Sequence, residues 1–568
     1  MARADANNPA GPSRRQLLQI LGGLGIGSAV FQRALVAQAQ PSASVTPDMV
    51  KQAEWIAGLT LSDEDRKSTA QALQRLLQNF QATRQVKLDN SIPPALCFNP
   101  APWQVQKQDG PRGAACPLEQ MAPKRPESPE TLAFMPVSEL AALIRTRQIS
   151  ALELTKLYLQ RLRQFDPVLH CVVTYTEELA LKQAEQADRE IAAGRYRGAL
   201  HGIPWGAKDL IGYPGYRTTW GAAPFRDQIL SVKATVAQRL EDAGAVLVAK
   251  LSLGALAMGD KWFNGQTRTP WNPRLGSSGS SAGSAAATAA GLVPFALGSE
   301  TLGSIVSPSR QCGTTGLRPT FGRVSRYGCM SLAWSMDKIG PLTRSVEDCA
   351  LVLAAIHGAD GLDPSAIDRP FTWPLARDIR SLRVGYVEGQ TPAKERKELS
   401  VLRDLGVKLV PIKLPDKQNM WAMTMILDAE AATAFDDLTR QGITAGLNDW
   451  PRTFRVGQFI PAVEYLRANR IRTLMMREME EIMSQVDLYV GGNDLLLTNL
   501  TGHPTLVLPG GFQKRGDMDM PVSLTFTGRL YGEAELLAVG HAYQQATGFN
   551  LRRPPMDKLT VSKEVGKS

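Results

Sequence analysis

The order of apolar and polar residues along most of the chain predicts helices that alternate with short strands. Residues 150–153, Ser-Ala-Leu-Glu, form a capping box, and apolar residues then recur as on one face of a helix. Residues 234–243 show the same periodicity, Gly244 ends it, and the apolar run 245–249 is typical of a buried strand. This alternation predicts an α/β protein with a mixed or mostly parallel sheet covered on both faces. The short strand pattern recurs at residues 384–387, 407–412 and 488–490.

The segment ahead of this alternation has a different pattern. Residues 46–90 are rich in helix formers with leucines at helical spacing, and residues 91–130 are rich in proline, which is typical of loops. We therefore expect a helical and proline-rich extension over residues 40–130 and one large α/β domain over residues 131–556. A flexible tail is expected over residues 557–568.

The first 39 residues have the pattern of an export signal. Arg14 and Arg15 precede an apolar stretch over residues 17–30, and a small-x-small cleavage site follows at residues 37–39. The apolar stretch is too short to cross a bilayer as a helix, and the paired arginines are typical of a twin-arginine (Tat) signal. We expect export by the Tat machinery, cleavage near Ala39, and a periplasmic or secreted protein without a stable membrane anchor. An uncleaved N-terminal anchor helix is the alternative.

Composition and charge exclude several classes of protein. With 43% hydrophobic and 21% charged residues, the 568-residue chain fits none of the disordered, collagen-like or small disulfide-stapled classes. The net charge of +10 is distributed without a basic run or an aromatic-interleaved basic stripe. Nucleic-acid binding is therefore not expected.

The six cysteines do not form a zinc or redox motif, since no Cys-x-x-Cys pair occurs. In an exported protein, Cys97 and Cys116 could form a disulfide bond. Burial of most of the cysteines as small hydrophobic residues is the favoured alternative.

Residues 275–284, LGSSGSSAGS, have the most unusual composition in the chain. A flexible linker is one interpretation, but the segment runs directly into apolar structure. A phosphate-binding loop is a second, although the lysine of that motif is absent. A third is the nucleophile elbow of an α/β-hydrolase with Ser281 as the nucleophile, which requires a strand immediately before it and a downstream histidine. The candidates for that histidine are His357, His503 and His541.

Motifs on both sides of this segment belong to one pattern. Residues 279–284 and 300–305 (ETLGSI) are close to the runs GGSSGGS and DxGGSI. Residues 312–320, CGTTGLRPT, are close to CGxxGLKPT, and residues 202–209, GIPWGAKD, fit a strand of the form GxPxxxKD. Together these motifs resemble the amidase signature family over about residues 130–550. Further similarity lies at residues 218–221, 499–504 and 507–512.

The resemblance implies a three-layer α/β/α amidase signature fold with a large mixed central sheet, and hydrolysis of an amide C–N bond through an acyl-enzyme. It implies Ser304 as the nucleophile, Ser280 as the bridging serine after a cis Gly279–Ser280 bond, and Lys208 as the base. A lysine accepts a proton only when neutral, so we expect burial to lower the pKa of Lys208 from about 10.4. No cofactor or metal is implied. The implied oxyanion hole consists of the backbone N–H groups of Thr301, Leu302, Gly303 and Ser304, and the implied supporting residues are Gly279, Ser281 and Glu300.

Three positions depart from the family pattern. Glu300 replaces an aspartate, Leu302 replaces a glycine, and Val306 replaces an arginine that would pair with the acidic residue. Leu302 is the departure with the largest expected effect on the oxyanion hole, because a hole built from successive N–H donors often needs dihedral angles that glycine tolerates better than leucine. These departures suggest one alternative to an active amidase, a catalytically weak relative that binds amides or peptides. A further alternative is the glutaminase subunit of a tRNA amidotransferase, which shares the fold and the triad but is disfavoured by an export signal.

The motifs do not identify the substrate. We expect a small-molecule or peptide amide, with esters as an alternative, and a pocket lined from residues 416–480. Apolar and aromatic side chains in that stretch suggest an apolar cleft, with core packing as the alternative for each of them. These side chains are Met420, Trp421, Met423, Met425, Trp450 and Phe459.

Overall fold

The computed structural model describes residues 44–87, 95–96, 113–114, 123–388, 396–416, 419–492 and 494–559. The predicted signal peptide, the candidate Cys97–Cys116 pair and the last residues of the predicted tail lie outside these ranges. The chain divides into two units, Met1–Gln81 and Ala82–Ser568.

Helices form the described part of the first unit: α1 (Pro47–Ala57) and most of α2 (Asp63–Arg84). The Thr46 hydroxyl caps the first turn of α1. Arg66 of α2 forms an ion pair of 2.7 Å with Glu54 of α1, which joins the two helices. Helices therefore occupy the residues in which the sequence is rich in helix formers.

A mixed 11-stranded sheet lies at the centre of the second unit. Its strands in chain order are β1 (Val172–Tyr175), β2 (Pro204–Lys208), β3 (Val246–Leu251), β4 (Phe295–Glu300), β5 (Thr315–Arg318), β6 (Lys338–Thr343), β7 (Arg383–Val387), β8 (Lys408–Ile412), β9 (Leu488–Val490), β10 (Thr505–Arg515) and β11 (Met518–Gly528). Across the sheet they lie in the order β8-β7-β9-β11-β10-β5-β6-β4-β2-β3-β1. Strands β2 and β4 are parallel, whereas β6 is antiparallel to both of its neighbours, β4 and β5.

Helices connect these strands and cover the sheet. They are α3 (Pro129–Ala133), α4 (Val137–Arg145), α5 (Ala151–Leu169), α6 (Glu177–Ala192), α7 (Thr235–Asp242), α8 (Ala282–Ala289), α9 (Val306–Cys312), α10 (Val346–Ile356), α11 (Lys397–Asp404), α12 (Met425–Ala434), α13 (Asp436–Arg440), α14 (Trp450–Gly457), α15 (Ala462–Gln485), α16 (Leu495–Thr501) and α17 (Glu533–Thr547). Short strand pairs outside the sheet join Gly113–Ala114 to Thr372–Trp373, Lys261–Trp262 to Gly265–Gln266, and Arg268–Thr269 to Asn272–Gly276.

Both faces of the sheet are covered by an apolar core. On β4, Phe295 and Leu297 belong to one core and Ala296 to the other, because successive side chains of a strand point to opposite faces. Every residue of α8 is buried, so this small-residue helix packs closely against the sheet. The predicted α/β fold with a large mixed sheet between helical layers is confirmed.

The cysteines of the second unit that the structure describes are Cys171, Cys312, Cys329 and Cys349, and all four are free thiols. Three of them are fully buried, as expected of small hydrophobic residues, and Cys329 is partly exposed. Within the described ranges, none of the helices combines the length and the apolar character that crossing a membrane requires.

Candidate active site

The candidate site lies at one edge of the central sheet, where β2 and β4 end and β6 begins. Lys208 is the last residue of β2 and Glu300 is the last residue of the parallel strand β4, so both lie at the same edge. Lys338 starts β6 and faces Glu300 in the antiparallel register. Ser280 lies just before α8, and Ser304 lies just before α9. The carboxyl ends of parallel strands are the common location of sites in α/β proteins.

Lys208 is fully buried among hydroxyl groups. Its Nζ lies 2.7 Å from Ser280 Oγ, 3.1 Å from Ser281 Oγ and 2.9 Å from Ser299 Oγ. The Ser299 carbonyl oxygen is a further neighbour at 3.2 Å. The structure thus brings the expected base together with the expected bridging serine and one of the expected supporting residues.

The environment of Lys208 changes its charge. Burial lowers the pKa of Lys208 to about 7, although the negative charges of Asp337 and Glu300 act in the opposite direction. The direction is the one expected from the sequence. At neutral pH a substantial fraction of this amine is therefore uncharged and able to accept a proton.

The loop before α8 positions Ser280 and Ser281. The Gly279–Ser280 peptide bond is cis. A Cβ atom at Gly279 would lie 1.8 Å from the Gly259 carbonyl oxygen, so only glycine fits at this close approach. The Ser281 N–H donates a hydrogen bond of 3.1 Å to the Ser304 carbonyl oxygen. This bond ties the loop of the bridging serine to the loop of the expected nucleophile.

Ser281 does not have the surroundings of an α/β-hydrolase nucleophile. Its buried hydroxyl donates to the Ser299 carbonyl oxygen at 3.1 Å and accepts from the Ser299 N–H at 3.2 Å. The preceding strand ends at Gly276, so it does not lead directly into Ser281 as a nucleophile elbow requires. The candidate histidine His503 contacts Thr501 instead. The structure therefore favours the amidase pattern over this alternative.

The residues of the expected oxyanion hole, 301–304, lie between β4 and α9. The Glu300 carboxylate accepts hydrogen bonds of 2.8 and 2.9 Å from the N–H groups of Ile305 and Val306, which follow this segment. In the part of the chain that the structure describes, the N–H groups of residues 301–304 donate no hydrogen bond to a protein acceptor. They can therefore point at a ligand oxygen, as the donors of an oxyanion hole must.

Leu302 does not need the backbone freedom of a glycine. The non-glycine residues with a positive φ do not include Leu302, whereas the next residue, Gly303, has a φ of 89°. The residue of this loop in the left-handed conformation is thus Gly303. Leu302, which replaces a glycine of the family pattern, does not have a positive φ and needs no glycine there. Thr301 is held at the start of the loop, since its hydroxyl donates to Asp337 Oδ1 at 2.5 Å.

Gly303→Ala is expected to impair both stability and activity. A Cβ atom at this position would lie 2.9 Å from Ser307 Oγ and 3.0 Å from Leu495 Cδ2, and a positive φ is strained for alanine. We expect a loss of about 1–3 kcal/mol in the free energy of unfolding and a larger relative loss of kcat, because the loop carries the N–H donors. Gly194→Ala is the matched control, since Gly194 has a φ of 78° and no atom within 4 Å of the added Cβ. Equal kcat for the two variants would contradict the role of this loop.

Glu300 has a cationic partner, although Val306 stands where the family pattern has an arginine. Arg318, at the end of β5, donates from Nη1 to Glu300 Oε1 at 2.7 Å, and both side chains are fully buried. Asn499 Nδ2 donates to the same oxygen at 2.8 Å. The arginine comes from β5, which lies on the other side of β6 from β4, instead of from the helix after the nucleophile.

This network fixes the ionisation of Glu300. Burial raises the pKa of the carboxyl, but the Arg318 charge and the hydrogen bonds outweigh burial, and the pKa falls to about 2. Lys338 Nζ donates to Asn499 Oδ1 at 2.7 Å, and burial together with the Arg318 charge lowers the pKa of Lys338 well below its usual value. Glu300 is therefore an ionised carboxylate that holds the start of α9 in place.

Four residues of this site were not singled out from the sequence. Arg318, Lys338 and Asn499 form the network around Glu300, and Ser299 contacts Lys208. The available signal was the position of charged residues at the ends of apolar strand runs: Lys338 precedes Ile-Gly-Pro-Leu, and Arg318 follows Thr-Gly-Leu. Charged residues at such ends are rarely buried without a partner or a shifted pKa.

Comparisons with known proteins show which family the chain resembles. The Amidase family model matches residues 153–491. A glutamyl-tRNA(Gln) amidotransferase subunit of Chloroflexus aurantiacus is 37% identical over 484 residues, which cover 74% of this chain and 99% of the relative. The same subunit of Moorella thermoacetica is 33% identical over 489 residues, covering 75% of this chain and 99% of the relative.

Solved structures show the same architecture. The native peptide amidase of Stenotrophomonas maltophilia has a TM-score of 0.65 and 30% identity, covering 74% of this chain and 98% of that chain. A bacterial aryl acylamidase has a TM-score of 0.65 at 22% identity, covering 74% of this chain and 97% of that chain, which shows the fold alone.

The fold and the matches define an amide-hydrolysing enzyme. The chain belongs to the amidase family, as the matched residues cover more than half of it.

Proposed function

We propose that this amidase cleaves the C–N bond of its substrate through an acyl-enzyme on Ser304, with Ser280 as the proton relay and Lys208 as the base. The observation that carries this proposal is the buried Lys208 amine, 2.7 Å from Ser280 Oγ and with its pKa lowered to about 7. A buried lysine without a carboxylate in hydrogen-bond contact is costly unless it is neutral, and a neutral amine is a base.

Each group has a definite part in the reaction. Ser304 Oγ attacks the amide carbonyl carbon while its proton passes to Ser280 Oγ, and the Ser280 proton passes to Lys208 Nζ. The carbonyl oxygen becomes an oxyanion that the N–H groups of residues 301–304 stabilise. The proton returns through Ser280 to the leaving nitrogen as the C–N bond breaks. Water then attacks the ester on Ser304 by the same route and releases the acid.

The departures from the family pattern do not remove these elements. Leu302 keeps an ordinary φ, and Glu300 keeps a buried cationic partner in Arg318. Val306 contributes only its N–H, which Glu300 accepts at 2.9 Å. These observations favour an active enzyme over a catalytically weak relative that only binds amides or peptides.

The proposed base predicts the pH dependence of catalysis. If neutral Lys208 accepts the proton, kcat/KM for an uncharged amide should rise with pH, with a midpoint near 7, and then level off. The sign follows from the lowered pKa: below it the amine is protonated and cannot act as a base. A pH–rate profile with a non-ionising substrate measures this. In Lys208→Met the rising limb should disappear and the remaining rate should be about 10²–10⁴-fold lower. A profile that keeps the same midpoint in Lys208→Met would assign the limb to another group.

A glutaminase that serves a tRNA amidotransferase is the second candidate, because two relatives carry the name of such a subunit. A panel of uncharged aliphatic, aryl and peptide amides, with free glutamine beside them, separates the two. Preferred release of ammonia from glutamine, together with co-purification of further subunits, would favour the glutaminase. Preference for uncharged amides by the isolated chain would favour the independent amidase.

We propose further that the enzyme works outside the cytoplasm after Tat export. The support is the Arg14-Arg15 pair, the apolar stretch over residues 17–30 and the small-x-small site at residues 37–39. Arg14→Lys combined with Arg15→Lys should leave the activity in the cytoplasmic fraction, because the signal receptor no longer recognises the precursor. In the unaltered protein, N-terminal sequencing of the exported form should begin near Gln40. Unchanged fractionation of the double variant would contradict Tat export.

A further inference from the structure

An open cleft of about 1810 Å³ lies in the second unit, beside the candidate active site. Its walls include the loops 326–335 and 359–368, part of α12, and part of α15. Pockets for drug-sized ligands measure about 300–1,000 Å³, so this cleft has room for an elongated molecule. Free glutamine would leave most of it empty.

The cleft comes close to the proposed catalytic groups, although Lys208, Ser280 and Ser304 are not among its lining residues. Arg326, Cys329 and Ser331 line both the cleft and a small inner cavity. The inner cavity is also lined by Ser299, whose hydroxyl contacts Lys208, and by Thr301, the first residue of the proposed oxyanion loop. The inner cavity measures only about 10 Å³, room for about one water molecule, so it shows how near the cleft comes to Ser299 and Thr301 but is too small to hold part of a substrate.

The lining of the cleft is apolar where it is open to solvent. Trp334 is 44% exposed, Leu362 55% and Ile367 43%, although all three are large hydrophobic side chains. Tyr327 and Met476 are further exposed apolar residues on the same cleft. Clustered exposed apolar residues in a concave site are typical of a binding surface for an apolar ligand.

The charged side chains of the cleft already have partners within the protein. Arg326 donates to both oxygens of Asp363, at 2.9 and 3.1 Å. Arg472 donates to the hydroxyl and the carbonyl oxygen of Ser335, at 2.9 and 2.7 Å. Glu430 accepts from the Ser335 N–H at 2.9 Å and hydroxyl at 2.6 Å, and from the Tyr465 hydroxyl at 2.9 Å. An ionised ligand group would have to break one of these contacts, which disfavours it.

We propose that this cleft binds the bulky, uncharged, apolar part of the substrate, so that the enzyme is selective for elongated neutral amides and discriminates against free glutamine. The proposal rests on the proposed amide hydrolysis at Ser304. The expected stretch 416–480 does supply part of the lining, through α12 and α15, but the apolar surface centres on Trp334, Leu362 and Ile367.

The test measures kcat/KM for two neutral primary amides of different size, acetamide and 6-phenylhexanamide, and for glutamine. The larger amide should be preferred by at least about 100-fold, since one buried methylene is worth about fourfold. Trp334→Ala and Ile367→Asp should each lower kcat/KM for 6-phenylhexanamide about 10-fold or more and leave acetamide within about twofold. Trp421→Ala is the matched control, since Trp421 is 71% exposed and is not part of the cleft lining.

The possible outcomes distinguish a failure of the cleft proposal from a failure of the proposed amide hydrolysis at Ser304. An unchanged preference for the larger amide in both cleft variants, or a preference of the unaltered enzyme for glutamine, would overturn the cleft proposal while turnover remains. Loss of all turnover in the unaltered enzyme would instead contradict the proposed function. In that case, tighter binding of 6-phenylhexanamide than of acetamide, lost in Trp334→Ala by calorimetry, would still support the cleft, and equal binding would overturn it.

Discussion

Ser304→Ala is expected to lower kcat by about 10⁶-fold, the size of the loss when the nucleophile of a serine protease is removed. The alanine has no oxygen to attack the carbonyl carbon, and no acyl-enzyme can form. Ser304 is only 8% exposed and lies in a loop tied to Ser281 through its backbone carbonyl, so the side chain can be removed without breaking that bond. The free energy of unfolding should therefore change little.

The measurement is single-turnover and steady-state kinetics on the best amide substrate. Ser307→Ala is the matched control, because Ser307 lies three residues further on in the first turn of α9. It should keep kcat within about threefold. A Ser304→Ala variant with more than a few per cent of the unaltered kcat would rule out Ser304 as the nucleophile.

Arg318→Leu is expected to cost about 3–5 kcal/mol in the free energy of unfolding, because it leaves the fully buried Glu300 carboxylate without its cation. The substitution should also disturb the active site. Glu300 accepts the N–H groups of Ile305 and Val306, so a displaced carboxylate releases the start of α9 directly behind Ser304. We therefore expect a fall in kcat as well as in stability.

The double variant Glu300→Gln with Arg318→Leu is the informative comparison. Glutamine keeps an oxygen for the two N–H groups but carries no charge, so part of the lost stability should return. Urea unfolding of the two single variants and the double variant measures this coupling. A double variant that is less stable than Arg318→Leu alone would contradict the view that an uncompensated charge is what destabilises the single variant.

The ion pair between Glu300 and Arg318 should also determine how the free energy of unfolding depends on pH. The pKa of Glu300 is lowered to about 2 in the folded protein, so the carboxylate stabilises the fold above its unfolded pKa of about 4.3. That contribution is lost as the pH falls from there towards 2. In Arg318→Leu no arginine charge opposes the effect of burial, which raises the pKa of Glu300. The loss of stability on acidification should therefore be absent in this variant.

Local sequence patterns were sufficient for much of the fold. The short apolar runs at 384–387, 407–412 and 488–490 are strands β7, β8 and β9, and the capping serine Ser150 accepts the Glu153 N–H at the start of α5. These features depend on neighbours in the chain. Lys208 and Ser280 were expected to act together because both stand in local motifs that resemble the amidase signature, and the structure places them 2.7 Å apart although they lie 72 positions apart in the chain.

Partners that come from distant strands were not found in this way. Arg318 and Glu300 meet only because β5 and β4 flank β6, and Asn499 reaches them from α16. Nothing in the local pattern specifies that strand order. The same holds for the cleft: Met423, Met425 and Trp450 are buried in the core, and the exposed cleft tryptophan is Trp334. An apolar periodicity identifies a buried face but does not distinguish a core from a pocket.

The sharpest test of the Ser304 mechanism is to map the residue that a fluorophosphonate modifies. The serine oxygen attacks phosphorus and fluoride leaves, which gives a stable adduct that peptide mass spectrometry can assign. We expect one adduct, on Ser304, absent from Ser304→Ala and formed much more slowly in Lys208→Met. An adduct on Ser280 or Ser281 with Ser304 unmodified, in an enzyme that still hydrolyses amides, would contradict this mechanism.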